Sequence, residues 1–347
     1  MKSSVCSVAL MLSLAVPVGG FAQRLKPNEL PTNVAGATTT AAPSRDFDPL
    51  TASDQDLDYN GFPPRPDEIA APKAFASWKS AMVASKTRIA PKLEVTSVFH
   101  GPARAKASMS KSTSTEIGNT LEFYNWSGYV NNNGTTSYGN SSYYFLYADF
   151  VVPVARQAFG ACTGGWDWES SWVGIDGYGS PDVLQAGIEA DAYCSGSTTS
   201  AYYSPWYEWF PNGETRITNL PIAAGDDYFV EVWSTSSTAG HAYLVNKNAN
   251  VAVSINFTAP SGTKLVGNTA EWVVERPTVS GAFATLTNYI ADPFWDSYAE
   301  TFAGTVVEPG SSTTQPTIML DNSGNPISYP TLLGANAFLM QDEGSAY

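Results

Sequence analysis

Histidine is almost missing from this chain, with two residues in 347, His100 and His241. So few imidazoles leave no histidine cluster for a zinc site, and H-E-x-x-H does not occur. A Ser-His-acid triad would have to use His241, in Thr238-Ala239-Gly240-His241, a run that reads as an exposed loop. G-x-S-x-G is absent, which argues against a nucleophile elbow. No phosphate-cradling glycine loop precedes a helical pattern, which argues against nucleotide chemistry. Positive charge is scarce too, and unevenly so. Residues 1–115 hold 13 Lys and Arg against 9 Asp and Glu, whereas residues 116–347 hold 5 against 23. The acidic part lacks the basic footprint that nucleic acid or an anionic membrane requires.

Cysteine is limited to Cys6, Cys162 and Cys194, and long apolar runs to one near the N-terminus. Lys2, the apolar stretch Val5–Val18 and the small-x-small site Gly20-Phe21-Ala22 predict a signal peptide over residues 1–22. That run is short for a membrane span. Export, to the medium or to a periplasm, follows. Cys6 leaves with the signal, so Cys162 and Cys194 are the expected disulfide in an oxidising compartment. A loop of that length would contribute on the order of 3–4 kcal/mol in the chain-entropy view.

Residues 23–115 are rich in Pro, Ala and Ser, with one helical pattern from Lys73 to Ser85. The rest reads as irregular, either a linker or a propeptide, and we take the propeptide as the expectation. Its positive charges would lie on the acidic domain at neutral pH, and acid would loosen that contact.

What the chain has in abundance lies after residue 115: 9 of its 10 Trp and 17 of its 18 Tyr. Short runs rich in Tyr, Trp, Val, Thr and Phe alternate there with Gly, Asn, Ser and Pro. Tyr143–Val152, Ser171–Ile175, Tyr228–Trp233, Val251–Phe257 and Glu271–Val274 read as strands. Many closely spaced strands with no convincing helix predict an all-β sandwich over residues 116–347. Glu308–Pro316 reads as a surface connection before a final pair of strands.

Side chains alternate faces along a strand. Trp172 and Asp176 therefore share a face, as do Gln185 and Glu189, Trp206 and Glu208, and Glu271 and Glu275. Their apolar neighbours, among them Val173, Leu184, Ile188, Trp272 and Val274, point the other way. Neighbouring strands of this kind would line a polar groove rimmed by aromatics. A solvated outer face fits the same alternation.

Five segments tip the balance: Asn125-Trp126-Ser127-Gly128, Trp172-Val173-Gly174-Ile175-Asp176-Gly177, Leu184-Gln185-Ala186-Gly187, Trp206-Tyr207-Glu208-Trp209-Phe210-Pro211 and Ala270-Glu271-Trp272-Val273-Val274-Glu275. In this order they resemble the glutamic peptidases called eqolisins, peptidase family G1, from about residue 120 onward. The resemblance implies a concanavalin A-like sandwich of two antiparallel sheets. It also implies a secreted, acid-acting endopeptidase made with a propeptide that inhibits it. It implies Gln185 and Glu271 as the catalytic pair and Trp172, Asp176, Trp206 and Glu208 as groove residues that orient the pair and bind substrate. No metal or other cofactor is expected, and the partners would be protein or peptide substrates of a monomer. Fungal members carry Asp where this chain has Glu189 and Ser204.

The chemistry suits that pairing. A carboxylate titrates near pH 4 and so serves as a base in acid, where an imidazole is protonated. An amide that does not titrate can donate to an oxyanion. Asp-Thr-Gly and Asp-Ser-Gly, the marks of a shared-proton aspartic pair, are absent. Two other readings stay open. One is a glycosidase with Glu208 and Glu271 flanking a sugar bond. The other is a lectin, in which Asp321-Asn322-Ser323-Gly324-Asn325 faintly suggests a calcium loop, though a β-turn suits it better. The acidic surface predicts a domain more stable below pH 4 than near neutrality.

Overall fold

The β-branched and aromatic runs form strands where the alternation places them. In the computed structural model, which describes residues 28–105, 120–158 and 164–343, thirteen strands build the sandwich. They are β1 Trp126–Asn132, β2 Tyr143–Val151, β3 Ser170–Ile175, β4 Val183–Ser195, β5 Thr198–Phe210, β6 Asp227–Ser236 and β7 Ala239–Asn246. The rest are β8 Val251–Thr258, β9 Thr269–Glu275, β10 Ala291–Thr301, β11 Thr314–Leu320, β12 Pro326–Gly334 and β13 Ala337–Asp342. The expected signal peptide, the boundary at residue 115 and Cys162 lie outside the described residues. Cys194 is disulfide-bonded.

Hydrogen-bonded neighbours define two antiparallel layers. The front layer runs β11, β1, β9, β3, β4, β5, then the short strand Thr215–Ile217. The back layer runs β13, β10, β2, β6, β7, β8. Strand β12 pairs with both β11 and β13 and joins the layers at one edge. Val173, Ile175, Leu184, Ala186, Ile188, Trp272 and Val274 of the front layer meet Leu146, Ala148, Val230, Val232, Leu244 and Ile255 of the back layer in one core. These front-layer residues are the ones whose alternation sent them inward. Three strands, not two, follow the Glu308–Pro316 connection, because the strand begins already at Thr314. Residues 321–325 form a turn in which the Asp321 carboxylate accepts from the Ser323 and Asn325 backbone N–H groups.

The helical pattern read from Lys73 to Ser85 is a helix, and the rest of the N-terminal segment is more ordered than its irregular reading. Helix α1 (Asp54–Tyr59) and helix α2 (Pro72–Ala84) lie on the outer face of the back layer. Pro72 supplies the first turn of α2, where a missing N–H costs nothing. Ala74, Trp78, Ala81 and Met82 recur at helical spacing and are buried with Leu57 and Phe62 against Phe145, Tyr147, Phe229, Trp233, Tyr243 and Tyr298. Between the helices and around them, Ala37–Thr40 extends the back layer beside β8, and Leu93–Val95 extends the front layer beside Thr215–Ile217. Composition hid this order because the segment has few apolar residues of its own. It borrows a core from the sandwich.

His241 also departs from its loop reading. It sits in β7, stacked on Trp233 at 4.9 Å, with Nδ1 2.8 Å from Asn256 Oδ1. No helix among the described residues is long and apolar enough to cross a membrane.

Candidate active site

Strand register sets the polar residues of the front layer in rows. Gly174 of β3 lies opposite Gln185 of β4 on one side and Glu271 of β9 on the other. Glu208 of β5 lies opposite Gln185. The row therefore reads Glu271, Gly174, Gln185, Glu208. Glycine is required at its centre: a Cβ at 174 would stand 2.8 Å from the Trp172 ring and 3.2 Å from Gln185 Cβ. The missing side chain leaves space between the Gln and the Glu. The next row reads Val273, Trp172, Gly187, Trp206, and a third reads Glu275, Ser170, Glu189, Ser204. Gly187 again makes room, since a Cβ there would lie 2.5 Å from Trp172 Cβ.

The sequence-predicted residues meet here, with one difference in kind. Gln185, Glu271, Trp172, Trp206 and Glu208 are all buried on the same face. Trp172 Nε1 donates to Glu275 at 2.9 Å and Trp206 Nε1 donates to Ser170 Oγ at 3.0 Å, which fixes both indoles. Asp176 instead lies just past the end of β3 with a φ of 69° and accepts from the backbone N–H groups of Val266, Gly267 and Asn268. It holds a loop in place and reaches Glu271 only through its charge. Burial lifts the Glu271 proton affinity well above the usual carboxylate range; the Thr269 hydroxyl and the Tyr178 N–H offset this in part, and the Asp176 charge adds to it.

One occupant of the groove was not foreseen. Residues 96–105 form a strap across it. Val98 and Phe99 pair with Thr278 and Val279, the Glu214 N–H donates to Val98 O at 3.0 Å, and the Ala103 N–H donates to Gly177 O at 3.2 Å. Between these anchors lies His100, fully buried. Its ring stacks on Trp206 with centroids 3.9 Å apart and planes 10° apart. Its Nε2 is 3.0 Å from Glu189 and 3.6 Å from Glu214, and its Nδ1 is 3.4 Å from Glu275. Its backbone N–H donates to Glu208 Oε2 at 3.1 Å, and its carbonyl accepts from the Gln185 side-chain amide.

Burial opposes a charge on His100, but the Glu189, Glu214 and Glu275 carboxylates outweigh it and raise its proton affinity well above the ordinary imidazole value. Burial likewise raises Glu208 and Glu275, each partly offset by His100. A raised imidazole contributes to docking in full below about pH 6.5 and loses that contribution as pH rises through its shifted value. Protonation of Glu275 removes one of the charges that face His100. His100 ties the strap to three carboxylates of the sandwich. Arg65 and Arg88 pack over Trp78 and Phe62 instead.

Sequence reading passed over His100, Glu214 and Asn125. Asn125 stood in a quoted motif, and its side-chain amide bridges Glu275 and the strap carbonyls of Gly101 and Pro102 at 3.2–3.4 Å. His100 and Glu214 carried no motif, and only folding brings them together. With Glu189 they place ligand atoms within 4.8 Å of one another, a set that could also hold a cation.

Known proteins resemble this chain in sequence and in fold. The sequence profile of the Peptidase A4 family matches residues 124–331. Aspergillopepsin-2 of Aspergillus niger is 30% identical over 145 residues, 42% of this chain and 50% of that protein. Scytalidopepsin B of Scytalidium lignicola is 35% identical over 107 residues, 30% of this chain and 38% of that protein. The matched region thus spans half or less of these relatives. Two crystal structures of scytalido-glutamic peptidase, one with a transition state analog inhibitor and one with a peptide-based transition state analog, superpose with TM-scores of 0.52 and 0.50. Their identities are 24% and 25%, over 63% of this chain and 98% of theirs.

Proposed function

We propose a function from the premise that this chain belongs to the Peptidase A4 family: it is an exported endopeptidase that works in acid through Glu271 and Gln185. The observation that carries this reading is the row in which both side chains border the space above Gly174, with a peptide carbonyl already on the Gln185 amide. Glu271 takes a proton from water, the hydroxide adds to the substrate carbonyl, and Gln185 donates to the oxygen that gains charge. The same proton then passes to the leaving nitrogen. Trp206, Glu208 and Glu189 would bind substrate where they now bind the strap, and Trp172 and Asn125 would hold Glu275 and the groove wall. With the strap seated, burial and the Asp176 charge keep Glu271 protonated; once the strap leaves and water enters the groove, the carboxyl can ionise in acid and act as the base.

The strap supports the companion reading that residues 23–115 are an inhibitory propeptide, since a backbone engaged at both its N–H and its carbonyl leaves no access for substrate. A sugar-directed reading finds no comparable support, because Glu208 engages the strap backbone, and Gly174 and Gln185 separate its strand from that of Glu271.

The test is hydrolysis of an acid-denatured protein at about pH 4, where a solvated carboxylate is half ionised. Acid-treated wild type is compared with Glu271→Gln, which keeps the shape and removes the base. We expect cleavage by wild type and a loss of roughly 10²–10⁴-fold in the variant. A folded, fully processed wild type that cleaves nothing would overturn the peptidase reading. Full activity in the variant would overturn the assignment of Glu271.

A further inference from the structure

We infer that His100, Glu189 and Glu214 form a zinc site that clasps the strap to the front layer. This goes beyond the peptidase reading and does not rest on it, since the ion would be structural. His100 comes from the strap, Glu189 from β4 and Glu214 from just before the short strand Thr215–Ile217, so one ion would join three segments far apart in the chain. A single imidazole suffices because two carboxylates complete the set. Glu189 Oε1 and Glu214 Oε2 lie 3.0 and 3.6 Å from His100 Nε2. Zinc bonds of about 2.0–2.1 Å give a coordination tetrahedron an edge of about 3.3–3.4 Å, between those two distances. Both oxygens are close, yet neither meets the Nε2–H in hydrogen-bond alignment. A proton on Nε2 serves one oxygen at most, whereas an ion beside it is shared by both. All three side chains are fully buried, and among the described residues no aligned donor reaches Glu189 Oε2.

The surroundings orient these ligands as a metal site requires. His100 Nδ1 faces Glu275 Oε2 at 3.4 Å, and Trp172 and Asn125 hold that carboxylate at 2.9 and 3.2 Å. A carboxylate on the far ring nitrogen directs the near one to the ion. Stacking on Trp206 fixes the ring plane. Arg216 Nε donates to Glu214 Oε1 at 2.6 Å, which leaves Oε2 for the His100 side. The Arg216 side chain is 27% exposed, so the cluster meets solvent at that edge and an ion has a way in. Imidazole with carboxylates suits zinc, while calcium and magnesium take oxygen sets. Four carboxylates, Glu189, Asp191, Glu214 and Glu275, gather around two basic groups, His100 and Arg216. Uncompensated charge is costly where it is buried, so added positive charge is favoured here. The ion needs ligands from both strap and sandwich. It therefore binds the seated strap and not the lifted one, and holds the strap down by mass action.

The experiment uses the uncut full chain, stripped with a chelator and returned to metal-free buffer at about pH 7, where protons compete less for the ligands than in acid. Zinc is titrated against a chromogenic chelator, and cobalt is added separately for its visible spectrum. We expect one zinc per chain and the spectrum of four-coordinate cobalt. Both should be lost in His100→Ala and in Glu189→Gln, each shown by its melting curve to be folded. His241→Ala should bind as wild type does, and Glu275→Gln should bind roughly 10–100-fold more weakly. At a zinc concentration of about 100 times Kd, amide exchange in residues 96–105 should slow by up to roughly a hundredfold. No zinc bound at about 1 mM, or binding that survives His100→Ala or is lost in His241→Ala, would overturn the site. Zinc bound through His100 with strap exchange unchanged would overturn the clasp. Neither result touches peptide hydrolysis, so the peptidase reading stands or falls on its own test.

Discussion

Helix α2 and the strap belong to the same N-terminal segment, yet opposite chemistries hold them. On the back layer, Trp78, Ala81 and Met82 are buried among Tyr147, Phe229 and Tyr243, with one hydrogen bond from the Tyr147 hydroxyl to Ala74 O at 2.7 Å. On the front layer, His100 is buried among carboxylates, and nearly every contact is a hydrogen bond or an ion pair. An apolar contact has no proton to exchange, so pH acts on the cover only weakly. The strap is made of titratable groups and peptide bonds, so both pH and hydrolysis reach it. On the proposed function, the difference separates two jobs: the cover would stabilise the sandwich, and the strap would keep the groove closed to substrate.

That division can be broken from either side. The largest effect belongs to Trp78→Ala, which removes a fully buried indole and should lower stability by about 3–5 kcal/mol. Denaturant titration would measure it, and latency of the uncut chain should survive. If latency falls in step with stability, the two contacts are one unit. Gln185→Ala should cost a fully processed enzyme roughly 10²–10³ in kcat, about 3–4 kcal/mol, with little change in cover stability. An unchanged kcat would remove the amide from the chemistry.

His100→Ala is smaller. It deletes charge-assisted hydrogen bonds of about 1.5–3 kcal/mol, so uncut chain should show roughly ten- to a hundredfold more initial hydrolysis. The double variant with Trp78→Ala should be additive in stability within about 0.5 kcal/mol; a larger departure would couple the two faces.

The gentlest test is a melting series in pH. Burial raises Asp149 and Asp292 to about 8 and Asp182 to about 6, the Lys247 charge lowering Asp149 only in part. Groups whose proton affinity rises on folding contribute stability that is complete below about pH 4 and is lost as pH climbs toward their folded values. Melting temperature should therefore fall by a few degrees between about pH 5 and 8. A steady rise to pH 7 would contradict the sign.

Much of the groove was legible in residue order. Gln185 could be set beside Glu189, Trp206 beside Glu208 and Glu271 beside Glu275 because strand alternation is a local rule, and the inward set Val173, Leu184 and Trp272 followed from the same rule. His241 and Asp176 were harder. The first was read from a Gly-containing run that is in fact the start of a strand. The second lies just past a strand end, where alternation stops and a left-handed backbone turns the carboxylate toward residues 266–268. The helical pattern from Lys73 to Ser85 was visible, but not what it would bury.

The sequence by itself determined the class of fold, the faces of the strands, the family and the pair of residues at the centre of the groove. These depend on spacing along one strand or on a motif within it. Only the tertiary structure decided that Gly174 would separate Gln185 from Glu271, that helix α2 would find its core on the back layer, and that His100 would lie among Glu189, Glu214 and Glu275. Each of those depends on segments far apart in the chain. A histidine is neutral in character until folding chooses its neighbours, and here folding chose three carboxylates and an indole.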